Sequence, residues 1–348
     1  MTLDIEGLAH HYGRERALDD VSFSVDDGEL VALLGPSGCG KTTIVQAIAG
    51  HITPTAGTVS LRGQAVTAQP PEARGVGVVF QEPTLYPHLT VAENVAYGLK
   101  AQGMGATERE QRVESVLALV DLSASHDAMP TELSGGQRRR VELARALAPK
   151  PDILLLDEPL SALDRALRRQ LQAEIRRIQA ETGVTTLVVT HDQQEAMSLA
   201  DRLVVIQEGQ VAAVGEPREL YHSPPNRFVG SFLGRANTLE ATGVDRTQSV
   251  IWVGGTAIEQ PDPPETDQPV VQIRPESVTV GSADDSSADE ITFSGQVVKV
   301  SDVGTQYDIE IELPTGERLV GTAQRSPPGV DETVSVGIDR RDLVVFDE

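Results

Sequence analysis

Residues 35–42 read Gly35-Pro36-Ser37-Gly38-Cys39-Gly40-Lys41-Thr42, followed by Thr43, and fit the pattern G-x-x-x-x-G-K-[ST]. The glycines let the backbone curl until several N–H groups aim inward at the start of a helix, whose dipole favours anions there. Lys41 adds a point charge for the β- and γ-phosphates of a nucleotide such as ATP, and Thr42 offers a hydroxyl to Mg2+. Cys39 lies inside this loop, but the loop works through its amides, so the residue reads as a small filler of the cradle rather than a nucleophile.

Two more features share this chemistry. Residues 133–137 read Leu-Ser-Gly-Gly-Gln, and the apolar run Ile153–Leu156 closes with Asp157 and Glu158. Ser134, Gly135 and Gly136 open a helix continuing through Val141 to Leu147, which makes an anion site with no anion of its own. Asp157 ends a buried strand, where a carboxylate is costly unless it meets a cation; Mg2+ is the natural partner. Glu158, one residue on, is expected to project to the other side of an extended backbone and to face an attacking water.

The elements that must position these groups follow a β-then-α rhythm up to about residue 235. Leu30–Gly35 reads as a buried strand feeding the loop, Lys41–Ala49 as the helix that starts there, and Val76–Phe80 as a strand ending at Gln81. Residues 91–149 read as consecutive helices, with Val91, Val95 and Leu99, then Val113, Val116, Leu117 and Val120, on apolar faces. The sheet resumes with Ile153–Leu156 and Thr185–Thr190, separated by a helix around Ala166–Glu181. From about Asn237 helical periods vanish and short alternating runs appear: Val270–Ile273, Thr292–Val300, Tyr307–Leu313, Thr333–Ile338 and Leu343–Phe346. Such spacing predicts an all-β barrel or sandwich. The Asp- and Ser-rich stretch Ser282–Glu290 reads as a solvated loop.

Composition narrows the partners. Twenty-nine Lys+Arg against 52 Asp+Glu give a net charge of −23, which excludes a phosphate backbone as a natural partner and so argues against nucleic acid. Of the 29 cations, 4 are Lys and 25 Arg. That skew, with the acidity, suits a high-salt cytoplasm, or an acidic protein of a G+C-rich genome. Cys39 is the one cysteine, so no intrachain disulfide forms. The first nine residues lack a secretion signal, and no apolar stretch approaches eighteen residues, so a transport role would require a borrowed pore.

The loop at 35–42, the motif at 133–137 and Asp157-Glu158 together resemble the nucleotide-binding subunit of an ATP-binding cassette (ABC) transporter, over essentially the whole chain. The resemblance implies an α/β P-loop cassette over 1–235, with a helical subdomain at about 91–149, and an all-β OB-like (TOBE-type) barrel over 236–348. It implies Glu158 as general base, Gln81 as the Q-loop residue contacting metal and lytic water, and His191 as the switch histidine holding the γ-phosphate. Tyr12 sits where the family stacks an aromatic on adenine, while His10 and His11 read as solvated. By the same likeness, Ser134, Gly135, Gly136 and Gln137 meet the γ-phosphate bound by a second copy, and Asp164 crosses the dimer interface. The assembly implied is a homodimer, or a dimer with a paralogous ATPase, on the cytoplasmic face of the membrane. Permease subunits and an extracytoplasmic solute-binding protein complete it.

The tail from Phe232-Leu233-Gly234-Arg235-Ala236-Asn237, with Ile273-Arg274-Pro275-Glu276 inside it, resembles importers of sugars, ferric iron, sulfate, molybdate, thiamine and polyamines. Sugar members commonly carry Ser-Pro after the Phe-Ile-Gly that opens the tail; Arg235-Ala236-Asn237 departs from this and points to the iron, oxyanion, thiamine and polyamine branch. The permease is expected near Pro83–Glu93, where Leu85, Tyr86, Leu89 and Val91 form a partly apolar edge. Three other readings compete: a soluble ABC ATPase of translation or repair, a P-loop kinase or GTPase, and a regulator with a vestigial ATPase. The single cassette and acidic surface oppose the first, Leu133–Gln137 the second, and the full set of Lys41, Gln81, Asp157, Glu158 and His191 the third.

Overall fold

The structure, a computed structural model, describes residues 1–82, 84–161, 164–260, 262, 264–281 and 290–347. Pro83, Ala162, Leu163 and the acidic stretch 282–289 lie outside the described residues. The chain divides into two compact units, Met1–Pro217 and Arg218–Glu348.

The first unit is built on a six-stranded sheet of order 210–215, 202–207, 30–34, 185–190, 153–157, 76–79. All its neighbouring pairs are parallel except the edge pair 202–207 with 210–215. Leu30–Leu34 and Thr185–Thr190 are buried at every position, as strands covered on both faces must be. Val31, Leu33, Leu155, Leu187 and Val189 pack on one face with Ile44, Val45 and Ile48 of the helix Lys41–Ala49. An antiparallel sheet, order 15–25, 3–12, 56–61, 64–65, adds Leu3, Ile5, Val21 and Val59 to the same core. The loop-bearing helix is thus held between two sheets, and its N-terminus is fixed in direction.

Gly50 ends that helix at φ 85°, and a Cβ there would stand 2.5 Å from Nε of Arg74. The bare backbone lets the buried Arg74 guanidinium reach in and donate to the carbonyls of Ala47 (2.6 Å) and Ile48 (3.0 Å). Three helices, Val91–Ala101, Ala106–Leu119 and Gly135–Leu147, form the inserted layer. Thr90 and Glu93 close a capping box at the start of the first. Val95, Leu99, Val113, Val116 and Leu117 are buried, as their helical spacing predicts.

The second unit holds two five-stranded antiparallel sheets, ordered 256–259, 250–253, 237–245, 270–273, 343–346 and 278–281, 333–339, 290–302, 307–312, 318–323. Leu239, Ile251, Val271 and Ile273 from the first meet Phe293, Val297, Ile309 and Val336 from the second in one core. The strands at 237–259 and 318–323 were not singled out from the sequence, because glycine and charge interrupt their alternation. Arg274, read as part of a tail motif, is buried and donates to the carbonyls of Tyr221, Gly230 and Arg235, with its guanidinium 4.0 Å from the Tyr221 ring centre.

Leu155 is fully buried mid-strand in the parallel sheet. Leu155→Ala should cost about 2–5 kcal/mol through lost burial and the cavity left behind. The measurement is the urea midpoint followed by circular dichroism; an unmoved midpoint would show that the sheet is not the core of this unit.

Candidate nucleotide site

Register in the parallel sheet brings four segments out at one edge. Leu34 pairs with Thr190, Asp157 with Val189, and Val79 with Leu156, so Gly35, His191, Glu158 and Phe80-Gln81 all follow the carboxyl ends of neighbouring strands. Ligands of open parallel sheets bind at that edge.

The phosphate loop begins at Gly35. Gly40 is the N-cap of the helix at φ 107°, and a Cβ there would lie 2.6 Å from the carbonyl oxygen of Ala17. No side chain caps this helix among the described residues, so its first N–H groups are left for a ligand. Lys41 is 8% exposed; its Nζ donates to the carbonyls of Gly35 (2.8 Å) and Pro36 (2.9 Å) and lies 3.8 Å from Cys39 Sγ. The ammonium therefore stands inside the curl of its own loop. Cys39 is buried beside it.

Gln81, Glu158 and His191, far apart in sequence, are joined by their side chains. Gln81 Nε2 donates to Glu158 Oε2 at 3.0 Å, and His191 Nδ1 lies 3.0 Å from Glu158 Oε1. The backbone at Glu158 corrects the sequence reading. It is not extended: the strand ends at Asp157, and Glu158 turns to φ 44°, a left-handed conformation rare outside glycine. Its N–H donates to Val189 O, and its carbonyl accepts from Ser161 N and Oγ, which holds the turn. Burial, then the neighbouring Glu158 charge, pushes the Asp157 carboxyl above its ordinary pKa, while Arg139 and Lys41 pull the other way.

The helix Gly135–Leu147 starts at Ser134, whose hydroxyl accepts from Gln137 N at 3.3 Å while Gln137 Oε1 accepts from Ser134 N at 2.9 Å. Asp164 caps the helix Arg165–Thr182, accepting from the N–H groups of Ala166 and Leu167 at 3.0 Å each. At the far end of the Gly135–Leu147 helix, Arg112 donates to the carbonyls of Leu147 (2.8 Å) and Ala148 (2.9 Å). Tyr12 is half exposed and donates to Gln46 of the loop-bearing helix at 3.2 Å. His10 departs from the solvated reading: its ring packs edge-on to Tyr12 at 4.6 Å, and its Nδ1 is enclosed.

A groove of about 460 Å3 lies along the outermost strand Val76–Val79, lined by Val76, Val78, Tyr86, Tyr97 and Arg145 among others. Leu85, Tyr86 and Leu89 are half-buried near it, whereas Val91, read as part of the exposed edge, is fully buried because the capped first turn of its helix faces inward. Sequence reading also passed over Arg139, Glu142 and Thr84, which meet behind the Gln81–Glu158 pair. The available signal was a charged pair at i, i+3 on a helix face otherwise filled by Leu143, Ala146 and Leu147.

A glycine loop at a helix mouth, two adjacent half-buried carboxylates, and a histidine at the same sheet edge define an ATP-binding cassette protein. Residues 18–161 match the ABC transporter family and residues 271–346 the TOBE domain. The chain is 39% identical over 347 residues to the Fe(3+) ions import ATP-binding protein FbpC of Rhizobium etli, covering 98% of this chain and 96% of that protein. It is 41% identical over 356 residues to the spermidine/putrescine import ATP-binding protein PotA of Rubrobacter xylanophilus, covering 98% and 93%. Among solved structures it is similar to the dimeric post-hydrolysis state of the ATP-binding cassette MJ0796 bound to ADP and Pi (TM-score 0.55, 32% identity, 62% of this chain and 99% of that one). The cbiO1 protein of Clostridium perfringens, part of the ABC transporter complex cbiONQ, matches at TM-score 0.59 and 28% identity over 63% and 90%. The chain belongs to the family of ATP-binding subunits of ABC importers, with a C-terminal TOBE domain; it binds ATP and hydrolyses it to drive transport. Subunits of this family dimerise and work with membrane permeases, and no helix among the described residues is long and apolar enough to cross a membrane.

The loop carrying His191 has its own support. Glu195 is buried; its Oε2 accepts from Thr190 Oγ1 at 2.8 Å and its Oε1 has no hydrogen-bond partner among the described residues. Burial first, with Asp192 adding, pushes its carboxyl up to about 7, against Thr190, Arg168 and His191. The folded pKa is raised, so the stabilising contribution is complete below the ordinary glutamate range and is lost as pH rises through about 7. Glu195→Gln removes that loss. Relative to wild type it should be about 2–3 kcal/mol more stable at pH 8 than at pH 5. Urea titrations at the two pH values give the difference, and equal offsets would refute the shifted carboxyl.

Proposed function

We propose that this subunit works as a head-to-tail dimer in which two ATP molecules are sandwiched, each between the phosphate loop of one copy and Ser134–Gln137 of the other. The observation that carries the reading is the hydrogen-bonded set Gln81, Glu158 and His191 at the sheet edge that also bears the phosphate loop. The dimer is a homodimer or pairs this chain with a paralogous ATPase. Residues 1–235 serve as the cassette and 236–348 as the C-terminal domain.

Glu158 is the general base: it takes the proton of the water that attacks the γ-phosphorus. Gln81 donates to one of its carboxylate oxygens and His191 stands at the other, so the carboxylate is held at both ends. The His191 ring is more than half exposed and can turn its other nitrogen to the γ-phosphate. Lys41 leaves its loop carbonyls for the β- and γ-phosphates, and the N–H groups behind Gly40 bind the rest. Tyr12 stacks on adenine, and Asp164 lies at the dimer contact. Ser134 has to rotate its hydroxyl from the helix N–H to the phosphate of the partner copy. Thr42, Asp157 and Gln81 suit Mg2+: all offer hard oxygen donors, and the Asp157 carboxyl, raised by burial and then by the Glu158 charge, would be relieved by a divalent cation. When bound, Mg2+ neutralises charge on the phosphate oxygens.

The complex sits on the cytoplasmic face of the membrane, with permease subunits docking at the groove of Tyr86 and Tyr97 and an extracytoplasmic solute-binding protein delivering cargo. The solute is ferric iron, an oxyanion such as sulfate or molybdate, thiamine or a polyamine. The names of the similar proteins favour ferric iron or a polyamine, both cationic; a sugar is the alternative.

Glu158→Gln should bind ATP, fail to turn it over and accumulate as an ATP-bound dimer, since Gln preserves the shape and removes only the base. Size exclusion at saturating Mg-ATP with a phosphate-release assay checks it, and retained hydrolysis assigns the base elsewhere. Lys41→Ala should weaken nucleotide binding and cost about 3 kcal/mol of transition-state stabilisation. Hydrolysis near wild type would remove the phosphate-loop assignment.

A further inference from the structure

We propose that Arg139 and Glu142, a buried ion pair on the Gly135–Leu147 helix, are positioning residues that set where Gln81 and Glu158 stand during hydrolysis. The inference rests on the reading of Glu158 as the base and Gln81 as its partner.

Arg139 and Glu142 are 7% and 1% exposed and lie 2.9 Å apart, Nη1 to Oε2. The same guanidinium donates from Nε to the carbonyl of Pro159 at 3.1 Å and from Nη1 to the carbonyl of Phe80. Pro159 follows Glu158 and Phe80 precedes Gln81. One side chain therefore grips the neighbour of each member of the catalytic pair. Glu142 extends the grip: its Oε1 accepts the N–H of Thr84, while Arg145, one turn of helix on, donates to the Thr84 carbonyl at 2.7 Å. Three side chains of one helix thus hold both ends of the segment carrying Gln81.

The sheet cannot do this work. The strands Val76–Val79 and Ile153–Asp157 pair only as far as Val79 and Leu156, so beyond that point no ladder fixes the distance between the two departing segments. Glu158 also sits at positive φ, a conformation that persists only where the surroundings over-determine it. Val189 and Ser161 hold the turn at Glu158 itself, and Arg139 adds a bond from behind to the next residue, Pro159. Arginine is the residue type for the task, since its planar fork reaches a carboxylate and two carbonyls at once, whereas a lysine ammonium is a single point of charge. A buried ion pair adds little net stability over well-packed apolar groups, so its contribution lies in placement. The helix concerned starts at Ser134, and the pair ties the segment that meets a second copy's phosphate to the hydrolytic residues of its own site.

The test compares Arg139→Lys, Arg139→Met and Glu158→Gln in the full chain, with kcat and KM for ATP, thermal melting, and ATP binding. Lys keeps the charge beside Glu142 but loses the two-carbonyl bridge. For Arg139→Lys, kcat should fall on the order of tenfold to a hundredfold, the scale that a misplacement of about 1 Å produces, with KM within about twofold and melting unchanged. Arg139→Met should be at least as impaired; if it does not fold, the lysine variant still decides. Wild-type kcat in Arg139→Lys, beside an inactive Glu158→Gln, overturns the inference and leaves the proposed function standing. Hydrolysis retained by Glu158→Gln overturns that function instead. A raised KM at unchanged kcat, or a kcat loss matched by lost folding, also overturns the positioning role.

Discussion

A polyanionic nucleotide has to be held by a chain whose own net charge is −23. The average field over the surface repels it, so binding depends on donors a few ångströms away and on their direction. That requirement explains the loop at Gly35–Thr42, where an uncapped helix start offers N–H groups and Lys41 is the one cation held inside the curl. Direction is the costly part. The helix Lys41–Ala49 keeps its bearing because two sheets close on Ile44, Val45 and Ile48, and Arg74 occupies its carbonyl end. The helix Gly135–Leu147 is finished the same way by Arg112. In both, positive charge meets the negative end of the dipole and leaves the opposite end available for phosphate.

The carboxylates at the sheet edge invert the problem. Asp157 and Glu158 are adjacent acids at the end of a buried strand, and burial, then the Glu158 charge, raises the cost of ionising Asp157. The positive φ at Glu158 takes it out of the strand that Asp157 ends. The strain is carried by bonds to Val189 and Ser161 and by the hold of Arg139 on Pro159. Charge placement and backbone conformation are therefore one constraint here.

Much of this was legible in the sequence. Strands such as Leu30–Leu34 and Thr185–Thr190 are apolar throughout, and a strand buried on both faces leaves no other pattern. The loop, the two helix starts and the sheet-edge residues followed from those strands. The conformation of Glu158 was not legible, because positive φ at a non-glycine residue is imposed by partners distant in sequence. Val91 was read two ways, on the apolar face of its helix and on the permease edge, and the structure keeps the first. His10 escaped because its Nδ1 is enclosed beside the Tyr12 ring, in a strand broken by bulges. In the second unit, Val270–Ile273 is buried throughout, whereas the strand 237–245 alternates only over its first six residues and loses the pattern from Gly243 on.

The excess of arginine over lysine, 25 to 4, gains a structural sense beside its compositional one. Exposed pairs such as Arg177 with Glu181, or Arg318 with Glu310, weaken as salt screens them. Arg74, Arg139 and Arg274 are different: each is buried and each donates to more than one backbone carbonyl. Bonds of that kind are short-ranged and shielded from ions, so they hold geometry at salt concentrations that would loosen a surface network. Lysine cannot replace them, because one ammonium cannot span carbonyls fixed in different segments. In the first unit, Arg74 and Arg139 sit inside on backbone oxygen and hold the elements around the phosphate loop and the Gln81–Glu158 pair, while arginines such as Arg177 stay at the surface.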